Sequence, residues 1–213
     1  MSEPAAPRLV LATRNQGKLR ELRELLRGQV PGLDVDTQVI DADTAGAPDV
    51  VESGVTFAAN AVLKAEQTAI ATGLLAVADD SGLAVDVLNG APGIFSARWA
   101  GRHGDDAANL SLLLAQLSDI PAEQRGAAFR CAAALAAPAG LVAVKEGELR
   151  GTLLAAPRGT GGFGYDPVLV PSGMDRTCAE LSGPEKNAIS HRGLAFRALM
   201  PALVRGLEEQ DTA

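Results

Sequence analysis

Aromatic side chains make up only 3% of this 213-residue chain, so any core must be filled by alanine, leucine and valine. Cysteine is scarcer still. Cys131 and Cys178 show no metal-ligand spacing, which excludes a disulfide framework and points to two packed thiols in a reducing cytoplasm. Basic residues are outnumbered, giving a net charge of -7, and this argues against the broad positive surface that nucleic acid or an anionic membrane requires. Any anionic ligand must be met locally. No apolar run approaches ~20 residues and no charged-then-apolar segment opens the chain, so neither membrane spanning nor secretion is supported and a cytoplasmic location is expected.

What is present is a hydrophobic content of 47%, enough for a sizeable core. Residues 1–7 read as a disordered leader, 8–208 as a single domain, and 209–213 as a tail. The fold class expected is α/β, a mixed β-sheet flanked by helices in two lobes, with the active site in the cleft between them.

The segment LLAVADDSGLAVDVLNGAPGIFSAR, residues 74–98, organises the rest. Leu74 to Ala78 is short and uncharged, as a buried strand would be, and it delivers Asp79 and Asp80 into what reads as a Ser81-Gly82 turn. Acids at a buried strand end need a partner, and a hard divalent cation suits them. Ordinary turn-capping by the same pair remains open from the residues alone. Glu52, just before a helix that Thr56 should cap and Gly73 should end, is a candidate third carboxylate, and an exposed loop acid is the alternative. Asn60 and Lys64 fall on one face of that helix.

Arg8 to Ala12 reads as the first strand. Thr13-Arg14-Asn15-Gln16-Gly17-Lys18 reads as a polar turn leading into the helix LRELRELLRG, an arrangement that offers backbone N–H groups and a lysine to phosphate. The spacing is not that of a Walker P-loop, and a solvated Lys18 is the plainer alternative. A strand is expected near Leu33 to Ile40, another over Ala84 to Leu88, and a helix over Asp105 to Leu117. Phe129 to Ala137 and Leu141 to Lys145 read as a hairpin, with Glu148 to Ala156 extending the sheet.

Arg158 to Pro167 is glycine-rich around Phe163 and Tyr165, which could present a ring to a planar base or simply bury two aromatics in a tight turn. His191-Arg192 should head a terminal helix bent or interrupted around Pro201. Cations there oppose the helix dipole, which points to an external acceptor, although a solvated basic pair is the commoner arrangement.

In order along the chain, ATRNQGKLRE, ESGVTFAANAVLKA, ADDSGLAVDVLNGAPGIFSAR, GTGGFGYDP and EKNAISHRG resemble the motifs of the inosine/xanthosine triphosphate pyrophosphatases over roughly residues 8 to 205. Five motifs in sequence make chance similarity remote. The resemblance implies that Asp80 is a general base and metal ligand, Glu52 a metal-associated glutamate and Asp79 its acidic neighbour. It assigns Thr13, Arg14, Asn15, Gln16, Gly17 and Lys18 to the triphosphate and Ser81 to a substrate contact. Phe163, Gly164, Tyr165, Asp166 and Lys186 belong to the nucleoside pocket, and His191 and Arg192 to purine recognition. Arg14 departs from the glycine of many members. The implied cofactor is Mg2+, the partners are a purine nucleoside triphosphate and a second copy in a homodimer, and the reaction yields monophosphate and pyrophosphate.

Two other readings stay in view. An aspartyl-phosphate phosphatase would place its two aspartates two residues apart, whereas here they are adjacent. A nucleotide sensor would bind the same ligand without turnover, and a related pyrophosphatase for modified pyrimidines or methylated nucleotides is a nearer competitor.

Overall fold

The computed structural model describes residues 6–14 and 16–210, and of Glu21 the backbone alone. The strands among them are β1 (Leu9–Leu11), β2 (Val39–Asp41), β3 (Leu75–Val85), β4 (Gly126–Ala137), β5 (Gly140–Leu153) and β6 (Leu169–Pro171). They form a six-stranded sheet in the order β2-β1-β3-β4-β5-β6. β1 runs parallel to both β2 and β3, and β5 antiparallel to β6, so the sheet is mixed, as expected. The flanking helices are α1 (Gln16–Leu26), α2 (Val35–Gln38), α3 (Phe57–Thr72), α4 (Asp106–Gln116), α5 (Gly183–Ile189) and α6 (His191–Gln210). The chain divides into two compact units, one from Met1–Asp80, Ala132–Glu146 and Ala195–Ala213, the other from Ser81–Cys131 and Gly147–Leu194.

In the first unit the core is built from small side chains. Ala61, Ala65 and Ala69 of α3 pack on Val10, Ala76 and Ala78, together with Ala132, Ala134 and Ala136. Alternation along β3 then turns Leu75, Val77 and Asp79 to the opposite face of the strand. Thr56 caps α3 by accepting from Ala59 N–H, and the helix ends at Gly73, both as its sequence predicts. α6 runs unbroken through Pro201, contrary to an interruption there. Its buried stripe of Phe196, Leu199, Leu203 and Leu207 lies on both sides of the proline and holds the helix in place.

Three local expectations change. The stretch near Leu33 to Ile40 is not one strand: Asp34 caps the short α2 by accepting from Asp36 N–H, and the strand begins only at Val39. Gln16, Gly17 and Lys18 already belong to the first turn of α1 and do not form a loop before it. Asp79-Asp80-Ser81-Gly82 is not a turn either, because β3 passes straight through it to Val85, after which Asp86–Leu88 forms a single 3-10 turn. Turn composition yields here to the sheet, since both carboxylates find side-chain partners without leaving the strand.

The second unit packs Leu83, Val85, Leu113, Leu117, Phe129, Tyr165 and Cys178 into its core. Gly82 is needed for close approach, since a Cβ would lie 2.4 Å from Ser96 Oγ and 2.6 Å from Gly93 O. Ser96 cannot retreat, because its hydroxyl accepts from Leu83 N–H at 2.9 Å and donates to Gly93 O at 2.6 Å. Gly82→Ala should therefore destabilise the protein by about 1–3 kcal/mol through overpacking, read as a lower urea midpoint at unchanged slope.

Candidate active site

In the first unit, consecutive residues of β3 send their side chains to opposite faces, and this alternation separates the two aspartates. Asp79 is 2% exposed and receives the Lys18 ammonium of α1 on both carboxylate oxygens, at 2.9 Å each. Asp80 faces α3. Asn60 Nδ2 donates to Asp80 Oδ2 at 3.0 Å, and Lys64 Nζ lies 3.9 Å from Asp80 Oδ1. Lys64 also donates to Glu52 Oε1 at 2.5 Å, drawing that loop residue to the same place. Asn60 and Lys64 are one helical turn apart, so α3 presents an amide and an ammonium to the carboxylates from one face.

Burial pushes the Asp80 carboxyl above its ordinary value, and Glu52 and Asp79 add to the push, while Lys64 and the Asn60 amide pull it back. A carboxylate raised in this way is a better proton acceptor than an exposed aspartate once it is ionised. Among the described residues no three His, Cys, Asp or Glu side chains assemble as a metal cluster. Glu52 and Asp80, which share Lys64, are hard oxygen donors. They fit a cation such as magnesium, which takes one or two protein carboxylates and completes its shell from phosphate oxygens and water.

The predicted triphosphate segment follows β1. Thr13 O accepts from Ala42 N–H, and Gln16 donates to the Asp41 carboxylate. Arg14 is engaged by Asp43, at 2.6 Å, and by Asp49, two acids of the loop after β2. Gln16 and Gly17 are exposed in the first turn of α1, and Asn15 lies outside the described residues.

In the second unit, Ser81 Oγ accepts from Arg192 Nη2 at 3.1 Å. His191, which begins α6, stacks on Phe129 with ring centroids 5.1 Å apart. Both His191 and Arg192 are buried, unlike a solvated basic pair. Asp166 accepts from Lys186 Nζ at 2.5 Å and from Phe163 N–H at 2.8 Å, while Lys186 sits over the Phe163 ring. Ser182 and Glu185 form a capping box at the start of α5, the helix that carries Lys186, and Arg176 and Ser182 hold the Glu185 carboxyl down at about 2. The two aromatics of the glycine-rich loop part company. Phe163 is 59% exposed, whereas Tyr165 is buried and donates its hydroxyl to Ser96 O. Gly164 N–H donates to Asp106 in the first turn of α4, which pins the loop.

The model of the Ham1 family matches residues 9–202, a stretch that contains every candidate residue named above. The chain belongs to the Ham1 family. A dITP/XTP pyrophosphatase from Streptomyces coelicolor is 67% identical over 196 residues, covering 92% of this chain and 96% of its own. The dITP/XTP pyrophosphatase of Mycobacterium tuberculosis is 56% identical over 196 residues, covering 92% and 95%. The solved structure of a HAM1 protein from Coxiella burnetii has a TM-score of 0.83 at 40% identity, covering 93% of this chain and 99% of that one. That of a nucleoside-triphosphatase / dITP/XTP pyrophosphatase from Mycobacterium abscessus has a TM-score of 0.75 at 51% identity, covering 91% and 99%. The α/β fold with a mixed sheet is therefore the Ham1 fold.

Two residues of this Ham1 chain that sequence reasoning did not place in the site, Asn60 and Lys64, stand among its carboxylates. The available signal was their spacing of four on one helical face behind Glu52. The raised Asp80 carboxyl has a consequence for stability. Below the unfolded value of about 3.9 Asp80 is protonated in both states; as pH rises the unfolded chain ionises first, and stability falls until the folded value is passed. Asp80→Asn removes that loss. In chelator at pH 7 the variant should melt at a higher temperature than wild type, and the gap should close as pH approaches 3.

Proposed function

We propose that this chain hydrolyses the non-standard purine nucleoside triphosphates ITP, dITP and XTP to the monophosphate and pyrophosphate, so that deaminated purines leave the nucleotide pool before they enter DNA or RNA. The observation that carries the reading is the group of Glu52, Lys64 and Asp80, with Asn60 holding the last. The names of the relatives at 67% and 56% identity support it.

Asp80 takes the proton of the attacking water. Glu52 and Asp80 would hold Mg2+, which when bound neutralises phosphate charge and makes pyrophosphate a good leaving group. Lys18, fixed against Asp79, and the N–H groups of the first turn of α1 meet charge along the triphosphate, with Thr13, Arg14, Gln16 and Gly17 lining its path. Attack at the α-phosphorus releases pyrophosphate; attack at the γ-phosphorus would release orthophosphate.

Phe163 offers the exposed ring on which a purine stacks, with Gly164, Tyr165, Asp166 and Lys186 shaping the pocket around the nucleoside. His191, Arg192 and Ser81 supply the polar recognition. Arg192 can only donate, which suits the 6-oxo group of hypoxanthine or xanthine and leaves a donor unmatched against the 6-amino group of adenine. The family resemblance further supports a homodimer acting in the cytoplasm, with neither nucleic acid nor membrane as partner.

Purified protein with magnesium should release pyrophosphate from ITP and XTP and little from ATP; orthophosphate as the product would contradict the reading. Asp80→Asn should lower kcat by about 10²- to 10⁴-fold, the usual cost of losing a general base. Arg192→Ala should lower the preference for dITP over dATP in kcat/KM by about 10- to 100-fold, as expected for a buried donor to the base.

A further inference from the structure

Asn60 is 1% exposed, and a buried amide persists only where its donor and acceptor are met. Its Oδ1 accepts from Gly54 N–H at 2.8 Å, and its Nδ2 donates to Asp80 Oδ2 at 3.0 Å. The first bond dictates the second. A backbone N–H can only donate, so the Asn60 atom that faces Gly54 is the oxygen and the atom that faces Asp80 is the nitrogen.

Gly54 lies two residues beyond Glu52. One side chain therefore ties the loop that carries Glu52 to the carboxylate in β3. The approach is close: a Cβ at Gly54 would lie 2.7 Å from Asn60 Oδ1 and 2.8 Å from Ala59 Cβ. One turn along α3, Lys64 meets Glu52 and Asp80 directly, at 2.5 and 3.9 Å. The helix thus sets the spacing of the two carboxylates through a neutral contact and a charged one.

We propose that Asn60 is a positioning residue for the hydrolysis, holding the Asp80 carboxylate in one orientation and locking the Glu52 loop to it before substrate arrives. The inference rests on the function proposed above. A carboxylate torsion is broad and two-fold, so an untethered Asp80 would turn either oxygen toward the attacking water. The Asn60 amide removes that freedom by engaging Oδ2.

The test uses the full chain as wild type, Asn60→Asp and Asn60→Ala. Aspartate keeps the size of the side chain and an oxygen for Gly54 N–H but loses the donor to Asp80, whereas alanine loses both. The readouts are kcat and KM for dITP per folded molecule, and hydrogen–deuterium exchange at the Gly54 amide without nucleotide. Both variants should lose about 100-fold in kcat with KM within about threefold of wild type, the pattern of lost positioning and not of lost binding. Gly54 should stay protected in Asn60→Asp and exchange freely in Asn60→Ala. A kcat within about threefold of wild type in Asn60→Asp, or a raised KM at unchanged kcat in either variant, would overturn the proposal. So would protection retained in Asn60→Ala. Wild type inactive on dITP would bring down the functional reading beneath it, whereas an active wild type beside an equally active Asn60→Asp would sink this inference alone.

Discussion

Burying a carboxylate in a sheet costs several kcal/mol unless charge and hydrogen bonds answer it, and β3 buries Asp79 and, in part, the next residue, Asp80. The strand's alternation makes this workable, because Asp79 and Asp80 leave on opposite faces and each finds its own partner. Asp79 is met by Lys18, so the ammonium in the first turn of α1 is anchored at the sheet. Asp80 is met by Asn60 and Lys64. The two aspartates therefore do not act as a joined pair. One fixes the Lys18 ammonium, and the other is left with a carboxyl whose burial raises its affinity for a proton.

That arrangement depends on how closely α3 approaches the strand. Ala61, Ala65 and Ala69 against Ala76 and Ala78 let the helix lie near enough for Asn60 and Lys64 to reach across. The scarcity of aromatic residues is thus part of how the site is built. Where rings do occur in the second unit they serve distinct ends: Phe129 stacks on His191, Tyr165 is pinned through its hydroxyl to Ser96 O, and Phe163 is turned outward.

Much of this was legible in the residues. Thr56 and Gly73 mark the ends of α3, the acids at Asp105 and Asp106 mark the start of α4, and the alanine-rich stretch around Cys131 reads as a buried strand. The path of β3 through Asp79-Asp80-Ser81-Gly82 was not, because local composition favours a turn and only partners distant in sequence, at positions 18, 60 and 64, make a strand tolerable. Nor could sequence separate Phe163 from Tyr165, since exposure depends on Ser96, which lies 69 residues before the tyrosine that donates to it. Asn60 was visible as a helical neighbour of Lys64, but its role emerges only from the bonds it makes to Gly54 and Asp80.

In the proposed reaction, water activated by Asp80 attacks the α-phosphorus. The most direct measurement is turnover of dITP in 18O-labelled water, followed by mass analysis of both products. The heavy oxygen is expected in the nucleoside monophosphate, beside unlabelled pyrophosphate. Label in the pyrophosphate, with an unlabelled monophosphate, would move the attack to the β-phosphorus and contradict it.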